Sequence, residues 1–437
     1  MRVATLLSIL LLVATACSPQ SETGEAIDTP TDVETVDPAS PADEPAVGDV
    51  EEQLQDSEQE EPNPGELEFD APAEGELATE CVASEAFPPS RTDVRANGNR
   101  IAEGALDLGA APRLDVELPG DAEWIVPDPA VANGWYVSLL DGRAVRIDAT
   151  GAVTDAGAAP TGPPELANTG EALSPFSNHA LFEDPLPDSR VVLSGDVAVA
   201  LVGPTDRLAH GVLGDAIEAS AIAFVDLCTN EGGRIEIPEP DVIEGVAPLL
   251  ADIDGDTELE ILVTVSNAEV GARLVAYEFS GTILAESAPI GQGNRWRNQL
   301  AVAPFGLDGE VEIIDVRTPH IGGTVQAFAL TFGNDDGPVL ERVAASRDRY
   351  TSHVIGTGNL DMGLALDANA DGRLDVVVPT ADRLALTALT RTNDSQGWEP
   401  VTELGLDGLL TTNLASQVVD GRTTLAVGAG DVAIIWG

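Results

Sequence analysis

The stretch that decides the fold is DANADGRLDVVV, residues 367–378, in which an acidic loop containing glycine runs directly into an apolar, β-like run. The stretch DIDGDTELEILV, residues 252–263, has the same design. In both, oxygen-bearing side chains stand at loop positions 1, 3, 5 and 9. Side chains at alternating positions of a tight loop can point to one centre, as they do in calcium loops. A cation-binding loop is one interpretation, and an acidic hairpin turn in an acid-rich chain is the other.

Weaker copies of this loop precede other apolar runs. PFGLDGEVE (304–312) and SQVVDGRTT (416–424) align with the stronger copies in one register. The fifth position is aspartate throughout, as Asp256, Asp308, Asp371 and Asp420. Residues such as Pro304 and Val418 occupy other ligand positions, so we expect the weaker copies to be plain turns without a metal.

The apolar runs themselves recur along the chain with a long period. They begin at residues 136, 197, 261, 313, 376 and 425, which are 61, 64, 52, 63 and 49 residues apart. Short runs separated by Gly, Pro, Asn and Asp indicate strands, and a unit of this length holds about four of them. The pattern predicts an all-β protein, a β-propeller of six to seven four-stranded blades. Strand-like residues within 100–125 are expected to complete the last blade and so close the ring.

The stronger copies predict Ca²⁺ as a cofactor, because Ca²⁺ takes six to eight oxygen ligands from carboxylates, amides and main-chain carbonyls. In the first loop the predicted ligands are Asp252, Asp254, Asp256, Glu260 and the carbonyl of Glu258. In the second they are Asp367, Asn369, Asp371, Asp375 and the carbonyl of Arg373. Bare carboxylates packed this closely would repel one another strongly without a cation.

The loop-then-strand pattern resembles the FG-GAP and VCBS repeats of bacterial proteins, because its last acid is at position 9 and no helices flank it. The propellers of those repeats are similar to the N-terminal propeller of integrin α chains. The resemblance covers most of 245–435 and extends to 125–245 only by its period. It implies that calcium is a structural staple within a blade, that the propeller has seven blades, and that such propellers bind ligands more often than they catalyse reactions.

The N-terminal region is predicted to target and tether the protein. Residues 1–16 have one early charge and an apolar run ending in small residues, which is typical of an export signal. The following Cys17 resembles the lipidated cysteine of bacterial lipoproteins, although ordinary cleavage before it is the alternative. Residues 17–80 are rich in acids and proline and are predicted to be a disordered tether, leaving 81–437 as the propeller. These features together predict a lipid-anchored protein at the bacterial cell surface or in the periplasm.

Two cysteines remain, Cys81 and Cys228. In an exported protein an isolated pair is more often a disulfide than two free thiols, so we predict that they are bonded. Neither has partners at a spacing typical of zinc sites.

The formal net charge of −54 repels phosphate backbones and excludes nucleic acid as a partner. The sequence analysis therefore favours an exported, lipid-anchored binding or adhesion module, with the membrane and an extracellular protein or glycan as partners. The polar and aromatic stretch at Arg295, Trp296 and Arg297 is a candidate ligand contact, although blade packing also explains the tryptophan.

An enzyme on the same scaffold, acting on polysaccharide or depending on a quinone, is the alternative function. A feature that would discriminate the two is the surface at one end of the propeller. Insertions that bring His, Arg and paired acids together there would favour an enzyme, whereas a smooth surface would favour binding. His320 and His353 precede strand-like runs and can be interpreted as catalytic or as packed residues.

Overall fold

A computed structural model describes residues 97–166, 170–333, 337–393 and 397–437. The predicted export signal, Cys17, the tether and Cys81 lie outside this part of the chain. In the described residues no helix has both the length and the apolar character needed to cross a membrane.

The strands of the described residues form six four-stranded antiparallel meanders, the blades of a six-bladed β-propeller, and short additional strands extend or join some of these sheets. Blade I contains β3 (Ala122–Asp128), β4 (Gly134–Leu139), β5 (Arg143–Ile147) and β6 (Val153–Ala158). Blade II contains β9 (Val192–Ser194), β10 (Val197–Thr205), β11 (Glu218–Asp226) and β12 (Gly232–Glu236). Blade III contains β14 (Leu249–Ala251), β15 (Glu260–Ser266), β16 (Arg273–Tyr277) and β17 (Ile283–Glu286).

The other three blades repeat this arrangement. Blade IV contains β18 (Arg297–Ala303), β19 (Glu312–Arg317), β20 (Thr324–Phe332) and β21 (Pro338–Ala345). Blade V contains β22 (Leu364–Asp367), β23 (Asp375–Pro379), β24 (Ala385–Arg391) and β25 (Trp398–Gly405). Blade VI contains β26 (Ala415–Val419), β27 (Arg422–Ala429), β28 (Val432–Trp436) and β2 (Arg113–Glu117). The described residues thus contain six blades, and the seventh implied by the FG-GAP resemblance is not found among them.

Shorter elements lie before, between and within the blades. They are β1 (Ile101–Ala105), β7 (Glu165–Leu166), β8 (Ala172–Leu173), β13 (Val242–Ile243) and the 3-10 helices Pro175–Leu181 and Pro319–Ile321. Strand β13 pairs with both β11 and β15 and so joins blades II and III into one continuous sheet.

The recurrent apolar runs are the second strands of the blades, β4, β10, β15, β19, β23 and β27. These strands are buried along most of their length, and all seven residues of β15 are buried. A strand covered on both faces needs apolar residues at consecutive positions, in contrast to the alternating pattern of a half-exposed strand. The all-β propeller prediction is confirmed, and its period reports one strand per blade.

The N-terminal part of the described chain closes the ring. Strand β2 pairs antiparallel with β28, with Arg113 opposite Trp436 and Glu117 opposite Val432. The last blade is therefore built from both ends of the described chain, as expected for residues 100–125. Closure of this kind leaves no sheet edge open between the first and last blades.

The segment just before β2 crosses the innermost strands of three blades. Asn97 accepts a hydrogen bond from the Leu250 amide, the Asn99 side chain bonds the main chain of Val302, and β1 runs parallel to β22. Inner strands would otherwise present unpaired main-chain groups to the centre of the ring. Residues 97–105 satisfy those groups and place Arg100 near the axis.

The antiparallel meander gives the propeller two distinct faces. The turns between first and second strands and between third and fourth strands lie at one end, which we call the acidic-loop face. The turns between second and third strands, together with the connections between blades, lie at the other end, which we call the cluster face. Each face holds a different set of polar side chains.

Candidate functional site

The loop 252–260 lies on the acidic-loop face, between β14 and β15. Both carboxylate oxygens of Asp252 accept backbone N–H groups, from Gly255 at 2.7 Å and Thr257 at 3.1 Å. Glu260, the last acid, is buried and accepts from the Ile253 amide at 2.6 Å. These bonds coil the loop so that it closes on its own first residue.

The loop 367–375, between β22 and β23, repeats most of this hydrogen-bond pattern. Asp367 accepts from the amides of Asp371 at 3.0 Å and Gly372 at 2.9 Å. Asp375 is fully buried and accepts from the Ala368 amide at 3.0 Å, as Glu260 does from Ile253. The register proposed from sequence therefore describes two loops of one geometry.

Two residues of each loop adopt left-handed backbone conformations, at positions 4 and 6. In the first loop these are Gly255 (φ +84°) and Thr257 (φ +80°), and in the second they are Ala370 (φ +57°) and Gly372 (φ +88°). The glycine has exchanged places with a residue that carries a side chain, while the backbone is conserved. The displaced glycine in DIDGDTELE thus does not change the path of the loop.

Burial of the last acid perturbs its ionisation in both loops. Burial raises the pKa of Glu260 to about 7, and the neighbouring aspartates raise it further. Burial likewise raises the pKa of Asp375 to about 6, with smaller contributions from Asp371 and Asp367. The Oδ1 atom of Asp375 is buried and has no hydrogen-bond partner among the described residues.

The predicted ligand residues are brought together to different degrees. Carboxylate oxygens of Asp252, Asp254 and Glu260 lie within 4.8 Å of one another, the one acidic group of this kind in the described chain. Asp256 and Glu258 are exposed on the same loop, as are Asp371 and Arg373 on the other, and Asn369 is half-buried. An all-oxygen set of this kind suits a hard divalent cation.

The weaker copies have replaced such a set in two ways. In blade IV the carboxylate of Glu312 is paired with Arg391 through two bonds of 2.7 Å, and both side chains are buried. In blade VI, Asp420 (φ +50°) and Gly421 (φ +74°) form the two-residue turn between β26 and β27. In the first copy the guanidinium of Arg391 takes the place of a metal cation. The second copy is a plain hairpin turn.

The cluster face contains a different constellation, built from connections that the sequence analysis did not single out. His210, on the turn between β10 and β11, donates from Nδ1 to a carboxylate oxygen of Glu244, on the connection from β13 to β14. Glu244 is almost fully buried, and its Oε2 has no hydrogen-bond partner among the described residues. In the neutral form of the imidazole, a proton held on Nδ1 by this carboxylate leaves the lone pair on Nε2.

A second buried carboxyl group, Glu218, stands at the start of β11 near this pair. Burial raises the pKa of Glu218 to about 9, and the charges of Glu244, Asp188 and Asp215 raise it further. Burial also raises the pKa of Asp188 to about 6, with a further rise from Asp215. At neutral pH Glu218 is therefore a carboxylic acid, which can donate a proton.

Aromatic rings form one wall of this site. The His320 ring stacks on Trp296, with centroids 5.7 Å apart and planes at 7°, and the His353 ring packs edge-on at 5.1 Å. Burial lowers the pKa of both histidines to about 4, and the charge of His210 lowers that of His320 further. His320 and His353 are thus neutral at pH 7.

A cavity of about 40 Å³ with a mixed polar and apolar lining lies beside Glu244. Its lining includes Arg100 and Arg190, which share the buried carboxylate of Asp361 at 3.7 Å and 2.6 Å. The amides of Asn298 and Gln299 also contribute to the lining. A cavity of this size has room for a small polar group or for ordered water.

The candidate ligand contact proposed from sequence is largely internal. Arg295 is half-buried, whereas Trp296 and Arg297 are buried, and Arg297 is paired with Asp315 at 3.2 Å. Trp296 and Arg297 do line the cavity. Cys228, on the turn between β11 and β12, is disulfide-bonded, and the cysteine predicted to pair with it lies outside the described residues.

Sequence reasoning missed His210, Glu218 and Glu244. His210 and Glu244 are 34 residues apart, in two different connections, and no motif joins them. The sequence signal that could have pointed to His210 is its rarity. The chain has only 4 histidines and 21 Lys and Arg residues beside 75 acids.

Comparisons with known proteins leave the family open. No protein-family model matches the chain. No curated protein matches it. Among solved structures, it is similar to a gluconolactonase from Xanthomonas campestris, at 14% identity, over 77% of this chain and 93% of that one, with a TM-score of 0.37. A similarity at this level carries no activity, substrate or cofactor over to this chain.

The prediction of a cell-surface binding or adhesion module is wrong. No protein-family model matches the chain, so nothing beyond the propeller fold supports an FG-GAP or VCBS protein. The cluster face also brings together histidine, arginine and paired acids, the feature that the sequence analysis associated with an enzyme. The enzyme alternative therefore replaces the adhesion prediction.

Proposed function

We propose that the protein is a hydrolase that uses general acid–base catalysis at the cluster face. The observation that carries the proposal is the pair of buried carboxyl groups, Glu218 and Glu244, whose environments differ. Glu218 keeps its proton at neutral pH, with a pKa of about 9, whereas the carboxylate of Glu244 holds the imidazole of His210. Two neighbouring titratable groups that favour different protonation states are typical of an acid and a base that work together.

The proposed step divides the proton transfers between two residues. The Nε2 atom of His210 takes a proton from a water molecule, whose oxygen forms the new bond to the substrate. As the C–O bond of the substrate breaks, Glu218 gives its proton to the leaving oxygen. The products are an alcohol and the hydrated fragment, and proton exchange between the two residues restores the site.

The surroundings of this pair favour an oxygen-rich substrate of the carbohydrate type. The adjacent cavity of about 40 Å³ would admit a single hydroxyl group of such a substrate, and its lining includes the charged side chains of Arg100, Arg190 and Asp361. The His210 side chain keeps 16% of its surface exposed, so a substrate can reach the imidazole from the cluster face. Support for a quinone cofactor is lacking, and we do not extend the proposal to one.

A substrate panel tests the proposal. Purified protein would be assayed with 4-nitrophenyl glycosides, 4-nitrophenyl esters and sugar lactones, alongside Glu218→Gln, His210→Ala and the exposed control Glu269→Gln. We expect kcat/KM for the hydrolysed substrate to fall by about 10²–10⁴-fold in the first two variants and to be unchanged in the control. No hydrolysis across the panel, or full activity in Glu218→Gln, would overturn it.

The calcium prediction is a separate proposal for the acidic-loop face. Support comes from the clustered oxygens of Asp252, Asp254 and Glu260 and from the unpartnered, buried oxygen of Asp375. Calcium would neutralise carboxylates that otherwise repel one another, and it would favour their ionised forms. In this proposal the ion stabilises blades III and V and takes no part in hydrolysis.

Export and lipid attachment remain proposals from the sequence. If Cys17 carries the lipid, Cys17→Ser should move the protein from the membrane fraction to the soluble one. Unchanged fractionation would instead indicate ordinary cleavage of the export signal.

A further inference from the structure

We infer that Trp296 is a positioning residue for the acid–base site, and that His320 and His353 hold its indole ring in place. The inference rests on the proposed function, because it assigns a role toward the His210–Glu244 pair. It assigns proton transfer to His210 and a supporting role to His320 and His353.

The main chain of Glu244 is held on both sides. Its amide donates to the carbonyl of Thr264 at 2.9 Å, and its carbonyl accepts from the indole Nε1–H of Trp296 at 2.8 Å. The carboxylate has no comparable support, since Oε1 bonds His210 while Oε2 has no hydrogen-bond partner among the described residues. The direction of the carboxylate therefore depends on how the main chain is anchored.

Trp296 also packs against the turn that carries the other half of the pair. It packs in one apolar cluster with Val212 and Leu213, which lie on the turn that carries His210, and with Val246, two residues after Glu244. One indole ring thus holds the imidazole-bearing turn and the carboxylate-bearing connection together. Displacement of the ring would change the distance between the two catalytic side chains.

The two histidines beside Trp296 form a hydrogen-bonded chain with defined proton positions. The carbonyl of Thr357 can only accept, so Nε2 of His353 carries its proton, and Nδ1 of His353 accepts from Nε2 of His320 at 3.3 Å. Each ring then has one proton, in agreement with the lowered pKa values of both. This chain fixes the ring that stacks on Trp296 and leaves proton transfer to His210.

Simple core packing is the competing explanation for Trp296, and Trp135 provides a matched control. Trp296 and Trp135 are exposed to 2% and 1%, so a change to phenylalanine removes a similar buried volume at either site. Trp135 lies in blade I, in the core cluster with Ile125 and Val145, away from the cluster-face connections.

The test compares Trp296→Phe with Trp135→Phe by NMR and by activity. The readout is the resonance of the His210 Nδ1 proton, which reports its hydrogen bond to Glu244. We expect Trp296→Phe to move this resonance upfield or lose it through exchange, and to lower kcat about tenfold, as expected for one lost hydrogen bond. Trp135→Phe should leave both unchanged despite its packing cost. If Trp296→Phe fails to fold, benzothienylalanine at position 296, which removes only the N–H, replaces it.

The outcomes separate this inference from the proposed function. A shifted His210 resonance in a protein that hydrolyses nothing would support positioning and refute the hydrolase. An active Trp296→Phe protein with an unchanged His210 resonance would refute positioning and leave the hydrolase standing. An equal effect from Trp135→Phe would show that general core packing is responsible and would overturn the inference.

Discussion

The two faces of the propeller use carboxylates in opposite ways. On the acidic-loop face, Asp252 and Asp367 accept hydrogen bonds from amides within their own loops. On the cluster face, Asp361 and Glu244 are buried and accept from side chains far away in sequence, at Arg190 and His210. The first arrangement is local and repeats with the blades, whereas the second occurs once and depends on the whole ring.

This contrast shows what the buried acids of each face require. A short loop can assemble oxygens around one point, and it then needs a cation to relieve their repulsion. In blade IV the guanidinium of Arg391 provides that positive charge for Glu312. On the cluster face, Arg190 and His210 are the partners of Asp361 and Glu244, whereas Glu218 avoids the repulsion by keeping its proton.

The largest effect is expected from breaking the charge cluster at the centre. Asp361→Ala would leave the buried guanidinium groups of Arg100 and Arg190 without their shared carboxylate. Loss of one partner from a buried ion pair costs about 3–5 kcal/mol, measurable as a lower urea midpoint. The control Asp407→Ala, whose side chain is 87% exposed, should cost less than about 1 kcal/mol. Equal losses would contradict the central role of Asp361.

The next effect concerns the pH dependence of stability through Glu218. Its pKa of about 9 in the folded protein exceeds the ordinary value of 4.5, so the folded protein holds a proton that the unfolded chain releases. The free energy of unfolding should therefore fall as pH rises from about 5 to about 9. The other raised carboxyl pKa values, such as those of Asp315 and Glu260, are about 6 and 7, so the slope above about pH 8 belongs to Glu218.

Urea unfolding at pH 7, 8 and 9 measures this slope. Glu218→Gln should flatten it, whereas the exposed control Glu269→Gln should retain it. A slope that persists in Glu218→Gln would assign the titration to another group and weaken the proposed acid.

A smaller effect is expected from calcium on the acidic-loop face. Calcium at 100 times its Kd would add about 2.7 kcal/mol to the free energy of unfolding and raise Tm. Asp254→Asn should lose part of this gain, whereas Asp308→Asn, in the weaker copy of blade IV, should keep all of it. Identical melting curves with calcium and with chelator would refute the metal proposal.

The smallest effect tests the exchanged glycines of the two loops. Thr257→Gly removes left-handed strain of about 1–2 kcal/mol and loses about 0.5–1 kcal/mol through chain entropy, for a net gain of about 0–1.5 kcal/mol. Gly372→Thr should destabilise the protein, and no atom lies within 4 Å of the added Cβ, so backbone strain alone is measured. Urea unfolding in chelator compares the two, and the same sign for both changes would contradict the shared loop geometry.

The parts of the fold that could be predicted from sequence are those encoded by neighbouring residues. The second strands of the blades, such as β15 and β23, are continuous apolar runs because blades cover them on both sides. The loops before them have fixed spacing because each closes through hydrogen bonds that span only a few residues. The ring closure by residues 100–125 could also be predicted, since the last blade lacks a strand unless these residues supply it.

The candidate active site could not be predicted from neighbouring residues. The His210–Glu244 pair joins residues 34 apart, and the pair of Glu312 and Arg391 spans 79. Connections between blades vary in length and carry no period, so no spacing rule links their side chains. The count of blades was also open from sequence, and it is six in the described residues because β2 completes blade VI.

By itself the sequence determined the repeat, the all-β class and the two acidic loops, because strand burial and loop closure act over a few residues. Only the tertiary structure decided that Glu218, Glu244 and His210 meet, that Glu218 keeps its proton, and that Trp296 lies against Glu244. The physical reason is that ionisation and orientation depend on burial and on distant charges. Those are properties of the closed ring and not of any one stretch of the chain.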